Sequence, residues 1–183
     1  GLFYPPDPAS HEFCSIGGNL AEDAGGLRCV KYGVTRDYVL GLEVVLADGS
    51  VIRTGGRTVK DAMGYDLTQL FVGSEGTLGI ITEATLRVLP MPAAPVTALA
   101  FFVSPVDAGR AVAGITRAGI VPATLELMDR ATIRAVDAAL DVGLPPDAGA
   151  VLLIESDAGG GSGEAELDGA LAACREAGAT RID

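Results

Sequence analysis

At 183 residues, 49% of them hydrophobic and 20% charged, the chain carries enough apolar material to bury a core, which excludes a disordered segment. Its formal net charge is −11 and its 13 Lys and Arg are scattered, so it offers no positive stripe to a nucleic acid. Cys14, Cys29 and Cys174 match neither a metal pair nor a disulfide framework, which points to a reduced, cytoplasmic compartment, and the single histidine excludes a multi-histidine metal site.

The chain opens on Gly1-Leu2-Phe3-Tyr4 with neither an initiator Met nor a signal peptide, so further sequence is expected ahead of it. Tyr4-Pro5-Pro6-Asp7-Pro8-Ala9-Ser10 follows, then Cys14-Ser15-Ile16-Gly17-Gly18-Asn19-Leu20-Ala21-Glu22-Asp23-Ala24-Gly25-Gly26. Glycines so concentrated let backbone N–H groups approach an anion such as a pyrophosphate, with small polar side chains adding donors. The same residues also suit a tight turn into a short helix with Asn19 as its N-cap. His11, beside Glu12, reads as a solvent-facing loop residue.

Up to about Pro90 the punctuation is dense in Gly and Pro and the apolar runs alternate as strands do. Leu42 to Leu46 and Val51 to Arg53 flank Ala47-Asp48-Gly49-Ser50, which predicts a hairpin. In Lys60 to Leu70, Asp66 is placed to cap a short helix whose Leu67 and Leu70 or Phe71 face the core. Gly73 to Gly79, GSEGTLG, precedes Ile80 and Ile81; it suits either a turn or backbone contact with a flat ring. From Leu78 to Val88 the residues alternate, predicting a strand with one buried face.

Pro90, Pro92 and Pro95 mark a boundary, because closely spaced prolines cannot continue a ladder or a helix. Beyond it the pattern predicts a strand at Thr97 to Val103, a helix burying Ala108, Ala111, Val112 and Ile115, and a strand near Ala123 to Met128. A helix from Ala131 to Leu140, a strand at Ala150 to Glu155 and a helix from Glu164 to Ala177 follow, the last burying Cys174; Ala179 to Asp183 reads as the entrance to another strand. The expected architecture is α+β or α/β with helices covering a sheet. The longest apolar stretch, Thr97 to Val103, is far short of the roughly 20 residues that span a bilayer. Ala158 to Gly163 lacks the Lys-Ser/Thr of a phosphate loop and reads as a flexible connection.

The ordered blocks YPPDPAS, CSIGGNLAEDAGG, KYGVTRDYVLGLEVVLADG and GYDLTQLFVGSEGTLGIITEATLRVLP, with the later run from Gly119 to Asp129, resemble the FAD-linked oxidases of the vanillyl-alcohol oxidase superfamily (PCMH-type FAD-binding). Within it the likeness is to the flavin subunits of bacterial glycolate oxidases and to D-lactate dehydrogenases. The resemblance implies the second FAD-binding subdomain over residues 1–92, β-rich with short helices. An α/β cap or substrate domain then begins at 93–183. It places Asp7, Ser10, Ser15, Gly17, Gly18, Asn19, Glu22, Asp23, Ala24 and Gly25 along the pyrophosphate and flavin. Glu75, Gly76, Gly79, Ile80 and Ile81 approach the ribose and adenine, and Tyr32 and Gly33 belong to the same wall.

The family's glycine-rich PxGxGT-like loop is expected before Gly1, and its HxGDGNxH-like motif and carboxylate-binding arginine after Asp183, so the resemblance assigns no catalytic residue and no metal ligand here. It implies an FAD-dependent oxidation of a small 2-hydroxy acid, with hydride passing from Cα to the flavin, by a cytoplasmic protein whose iron–sulfur and flavin-domain partner subunits provide any attachment to the inner membrane. The alternative is a non-catalytic scaffold module of the same fold that binds FAD weakly or not at all.

Overall fold

The structure is a computed structural model that describes residues 1–58, 60, 63–159 and 161–183. Asp61 and Ala62, in the block around the predicted cap, and Gly160, in the glycine-rich connection, lie outside the described residues. The chain divides into two compact units, Gly1–Met91 and Pro92–Asp183, the division falling within the run of three prolines.

The first unit runs β1 (Leu2–Phe3), α1 (Ile16–Glu22), α2 (Cys29–Tyr32), a 3₁₀ turn (Thr35–Tyr38), β2 (Val39–Val45), β3 (Val51–Gly55), α3 (Leu67–Phe71), β4 (Ile80–Leu86) and β5 (Leu89–Pro90). The Asp48-Gly49 turn closes the predicted hairpin, with the Asp48 carboxylate accepting from the Ser50 N–H at 2.9 Å. β2 is the centre of an antiparallel sheet of order β3-β2-β4. Leu20, Val39, Leu42, Val44, Phe71 and Val72 form the core beneath it.

Three expectations need correction. Strict alternation in β4 fails because Val44 pairs with Ile81 and Glu43 with Glu83, which skips Thr82. That bulge reverses the facing, so Ile81 and Leu86 both pack on the core while Ile80 stays exposed. In α3, Asp66 is the N-cap as expected, accepting from the Gln69 N–H at 2.9 Å. Phe71 and Thr68 are the buried residues, whereas Leu67 and Leu70 are exposed, since five residues make barely more than one turn and only one edge can face inward. Thr68 fastens the helix to β3 through the Thr54 hydroxyl at 2.9 Å. Lastly, Pro90 does take part in a ladder: Leu89 and Pro90 pair with Phe3 and Leu2 in an isolated two-stranded ribbon, where an edge strand tolerates the missing N–H.

The second unit comprises β6 (Val96–Phe102), α4 (Pro105–Arg117), β7 (Thr124–Asp129), α5 (Arg130–Leu140), β8 (Ala150–Ser156), α6 (Ser162–Glu176) and β9 (Arg181–Ile182). Its sheet, of order β7-β8-β6-β9, is antiparallel throughout, so of the two expected architectures it is α+β. Strand alternation sends Ala98, Ala100, Phe102, Ala150, Leu152 and Ile154 to the face covered by α4 and α6, where Ala108, Ala111, Ile115, Ala170, Leu171 and Cys174 meet them. Phe101 and Val151 point the other way, onto Ile133 of α5 and Ala148. Small residues let α4 and α6 approach closely: a Cβ on Gly114 would stand 3.2 Å from that of Ala173. Among the described residues, no helix is long and apolar enough to cross a membrane.

Burial pushes the Cys174 thiol up to about 11, whereas Cys14 and Cys29 are only half-buried. Since the thiolate is the reactive form, a disulfide reagent at about pH 8 is expected to modify Cys14 and Cys29 in the folded chain and Cys174 only after denaturation. Prompt labelling of Cys174 without denaturant would contradict its position in the core.

Candidate functional site

The segment leading into α1 is a series of tight turns: the His11 N–H donates to Pro8 and the N–H groups of Phe13 and Cys14 both donate to the Ser10 carbonyl, each at 2.8 Å. Ser15 is extended and caps the helix, its hydroxyl accepting from the Gly18 N–H at 3.0 Å. The N-cap is therefore Ser15, and the expectation that Asn19 plays this part is corrected: Asn19 lies inside the helix. α1 ends at Asp23, which adopts the left-handed conformation (φ 52°) and donates its N–H to Asn19.

GSEGTLG docks on the end of this helix. The Gly73 N–H donates to the Leu20 carbonyl at 2.9 Å and the Glu75 N–H to the Ala21 carbonyl at 3.0 Å. Glu75 is itself left-handed (φ 51°), and Thr77 closes the turn on the Ser74 carbonyl. Two stretches fifty residues apart thus form one continuous backbone surface.

Within this surface the expected site residues separate by what their own chain already asks of them. A Cβ on Gly33 would lie 2.2 Å from the Asp37 carboxylate and one on Gly79 2.7 Å from Val44, so packing alone requires these glycines, while one on Gly25, 3.1 Å from the Cys29 sulfur, would be crowded. Gly17 and Gly18 differ. Added methyls would meet only the Ser15 hydroxyl, at 3.8 and 3.4 Å, and one on Gly76 would meet nothing within 4 Å. Two consecutive glycines in a seven-residue helix, each less favourable than alanine by about 1 kcal/mol, have no internal packing that explains them. Next to them Asn19 is only 5% exposed, yet its carboxamide makes no hydrogen bond among the described residues. An open glycine face beside an amide with free bonding capacity is an arrangement that can receive a flat, polar-edged ring.

Other expected residues are committed within the chain. Asp7 accepts from the Arg28 N–H at 3.3 Å and pairs with its guanidinium at 3.6 Å. Asp23 accepts from the Arg36 N–H at 2.8 Å and from Arg36 Nε. The Ala24 carbonyl takes both the N–H and the hydroxyl of Thr35. Tyr32 packs edge-on to Phe3, its carbonyl accepting from the Tyr38 hydroxyl at 2.8 Å. Ser10, Glu22, Glu75 and Ile80 are exposed, and Ile81 turns to the core. Sequence reasoning missed Arg28, Arg36 and Gln69, which tie the blocks together, because single polar residues between motifs carry no periodic signal.

The Tyr4 hydroxyl is the one sealed side-chain polar atom without a partner among the described residues. Burial pushes this phenol up from its ordinary value. Thr35 stands beside it with its own proton donated to Ala24, out of bonding geometry with the phenol. The Tyr4 ring is held edge-on against Tyr38 at 5.9 Å. Among the described residues no cluster of His, Cys, Asp and Glu could hold a metal ion.

Residues 1–55 match the family described as FAD binding domain, and residues 91–182 the family described as FAD linked oxidases, C-terminal domain. The chain is 51% identical over 182 residues to the glycolate oxidase subunit GlcD of Bacillus subtilis, a match covering 100% of this chain and 39% of that protein. It is 43% identical over 133 residues to a D-lactate dehydrogenase of Anaerostipes hadrus, covering 73% of this chain and 28% of that one. In fold it is similar to alkyldihydroxyacetonephosphate synthase, with a TM-score of 0.78 at 22% identity over 98% of this chain and 36% of that one. The chain therefore spans 39% or less of each of these proteins.

The contrast between open and packed glycines is measurable without any ligand. Gly17→Ala is expected to stabilise the chain by about 0.5–1 kcal/mol, and Gly33→Ala, at φ 82° against Asp37, to destabilise it by more than that. Thermal unfolding of the two variants checks both signs; a Gly17→Ala chain less stable than wild type would show that Gly17 has a packing role of its own.

Proposed function

The chain belongs to the FAD linked oxidases, and from that premise we propose that its first unit forms one wall of an FAD site in an oxidoreductase acting on a small 2-hydroxy acid of the glycolate or D-lactate kind. The observation that carries the reading is the pair of unpacked helix glycines, Gly17 and Gly18, beside the unbonded carboxamide of Asn19. FAD, when bound, supplies the acceptor for the hydride removed from the substrate. The protein's contribution here is orientation. Ser15 fixes the start of α1; Gly17 and Gly18 let a ring lie directly on the backbone; Asn19 offers a donor and an acceptor to its polar edge. On the other side of the same surface, Glu75 and Gly76 present the open turn of GSEGTLG to the ribose and adenine end.

The second unit, Pro92–Asp183, is read as the start of a substrate domain, and the base and the carboxylate-holding arginine are assigned to no residue of this chain. The Bacillus subtilis relative is named as a subunit, which supports partner subunits, and the reading makes one of them an iron–sulfur protein that takes the electrons onward. It concerns a chain with no helix able to cross a membrane among its described residues, which is in keeping with attachment through such partners.

No PxGxGT-like loop occurs among the 183 residues, so this wall supplies only part of the phosphate contacts. The purified chain is expected to be colourless and to take up FAD weakly on titration, followed by quenching of flavin fluorescence. Gly17→Ala and Asn19→Ala should each raise the dissociation constant about tenfold, the first while making the apoprotein more stable. Identical titrations for wild type and both variants would remove this surface from the cofactor site, and no response from wild type would favour a scaffold module instead.

A further inference from the structure

We propose that Arg36, with Gln69 behind it, is a positioning residue that sets GSEGTLG against α1 and so fixes the spacing between the two edges of the cofactor wall. The proposal rests on the reading of that surface as an FAD wall. Arg36 engages both oxygens of Asp23, through its backbone N–H at 2.8 Å and through Nε, and thereby immobilises the left-handed residue that ends α1. Gly73 is seated on this pair: a Cβ there would lie 3.1 Å from Asp23 Cβ and 3.5 Å from Arg36 Nη2. On its other side the Arg36 carbonyl accepts from Gln69 Nε2 at 2.9 Å, while the Gln69 N–H is capped by Asp66.

One bonded chain, Asp66 to Gln69 to Arg36 to Asp23, therefore joins α3, the 3₁₀ turn and the end of α1. GSEGTLG hangs from both ends of it, leaving α3 covalently and bonding to Leu20 and Ala21 through Gly73 and Glu75. The Arg36 side chain is 45% exposed and that of Asp23 15%, and a half-exposed pair of this kind adds little to global stability. What it does determine is where the loop sits. The Arg36 fork reaches Asp23 and the flank of Gly73 together, a geometry that a point charge does not reproduce.

Native-state amide exchange on the intact chain, paired with the FAD titration, separates positioning from stability. In Arg36→Met the Gly73 and Glu75 amides are expected to exchange about tenfold faster while those of β2 keep their protection, and the FAD dissociation constant is expected to rise about tenfold. Arg110→Met, which cuts the 2.8 Å pair with Asp107 on α4, should change neither. Arg36→Met removes the Nε contact with Asp23 and keeps the backbone one; should it fail to fold, Gln69→Ala removes the side-chain bond to the Arg36 carbonyl and should give the same local signature. Unchanged protection at Gly73 and Glu75, loss of protection throughout β2 as well, or wild-type FAD affinity in the folded variant each overturns the proposal. A wild-type chain that takes up no FAD instead overturns the cofactor reading, and the exchange measurement then still decides whether Arg36 positions the loop.

Discussion

The first unit depends on two backbone hydrogen bonds, from Gly73 to the Leu20 carbonyl and from Glu75 to the Ala21 carbonyl. A helix of seven residues is too short to hold itself together, and the carbonyls of its last turn have no partner within it. GSEGTLG supplies those partners, and α1 in turn gives the loop a rigid edge to lie on. Beneath the junction, Leu20 on one side and Phe71 and Val72 on the other share a single core with β2. Apolar burial thus holds the two segments together from below, and the hydrogen bonds fix their register above it. Without the register, the glycine faces and the open turn at Gly76 would belong to two unrelated loops.

Glycine serves two opposite purposes in this surface. At Gly33 and Gly79 it lets parts of the chain pass within distances that no side chain permits, so the residue is used up by the fold. At Gly17 and Gly18 it leaves a helix face bare, at a cost in helix stability that nothing inside the chain offsets. Local rules are broken in this way where a helix face is kept bare, and beside that face the Asn19 carboxamide is unbonded but not sealed from solvent, so it is free to bond outward. On the proposed reading, a ring bound here would cover the bare face and bond the amide.

Most of the fold was legible in the sequence because it rests on signals within a few residues of one another. The Asp-Gly hairpin, the Asp66 cap, the Ala108–Ile115 face and the burial of Cys174 are all of this type. The features that were not legible depend on partners far away in the chain. Thr82 drops out of register because of what β2 does opposite it, and Leu89–Pro90 forms a ribbon only because Leu2–Phe3 is there to pair with it. The candidate site was legible as a set of blocks. Which members of each block face outward was not, since Gly17 and Gly33 are the same residue type in the same kind of motif and only the neighbours across the fold, the Ser15 hydroxyl or the Asp37 carboxylate, tell them apart.

The two units are stabilised differently, and the difference bears on where a ligand has leverage. The second covers both faces of its sheet with helices packed through small residues. The first has its buried cluster under one face of a three-stranded sheet and leaves Phe13, Met63 and Tyr65 about nine-tenths exposed or more. Much of its order comes instead from caps and braces, such as those at Ser15, Asp66 and Asp23. Regions held in this way open locally at lower cost than a packed core, and a ligand that binds only the closed form stabilises them by mass action. If the proposed cofactor wall holds, cofactor binding and the seating of GSEGTLG on α1 are one equilibrium seen from two sides: whatever loosens the helix end would weaken the cofactor's hold, and whatever fills the bare glycine face would protect the helix end.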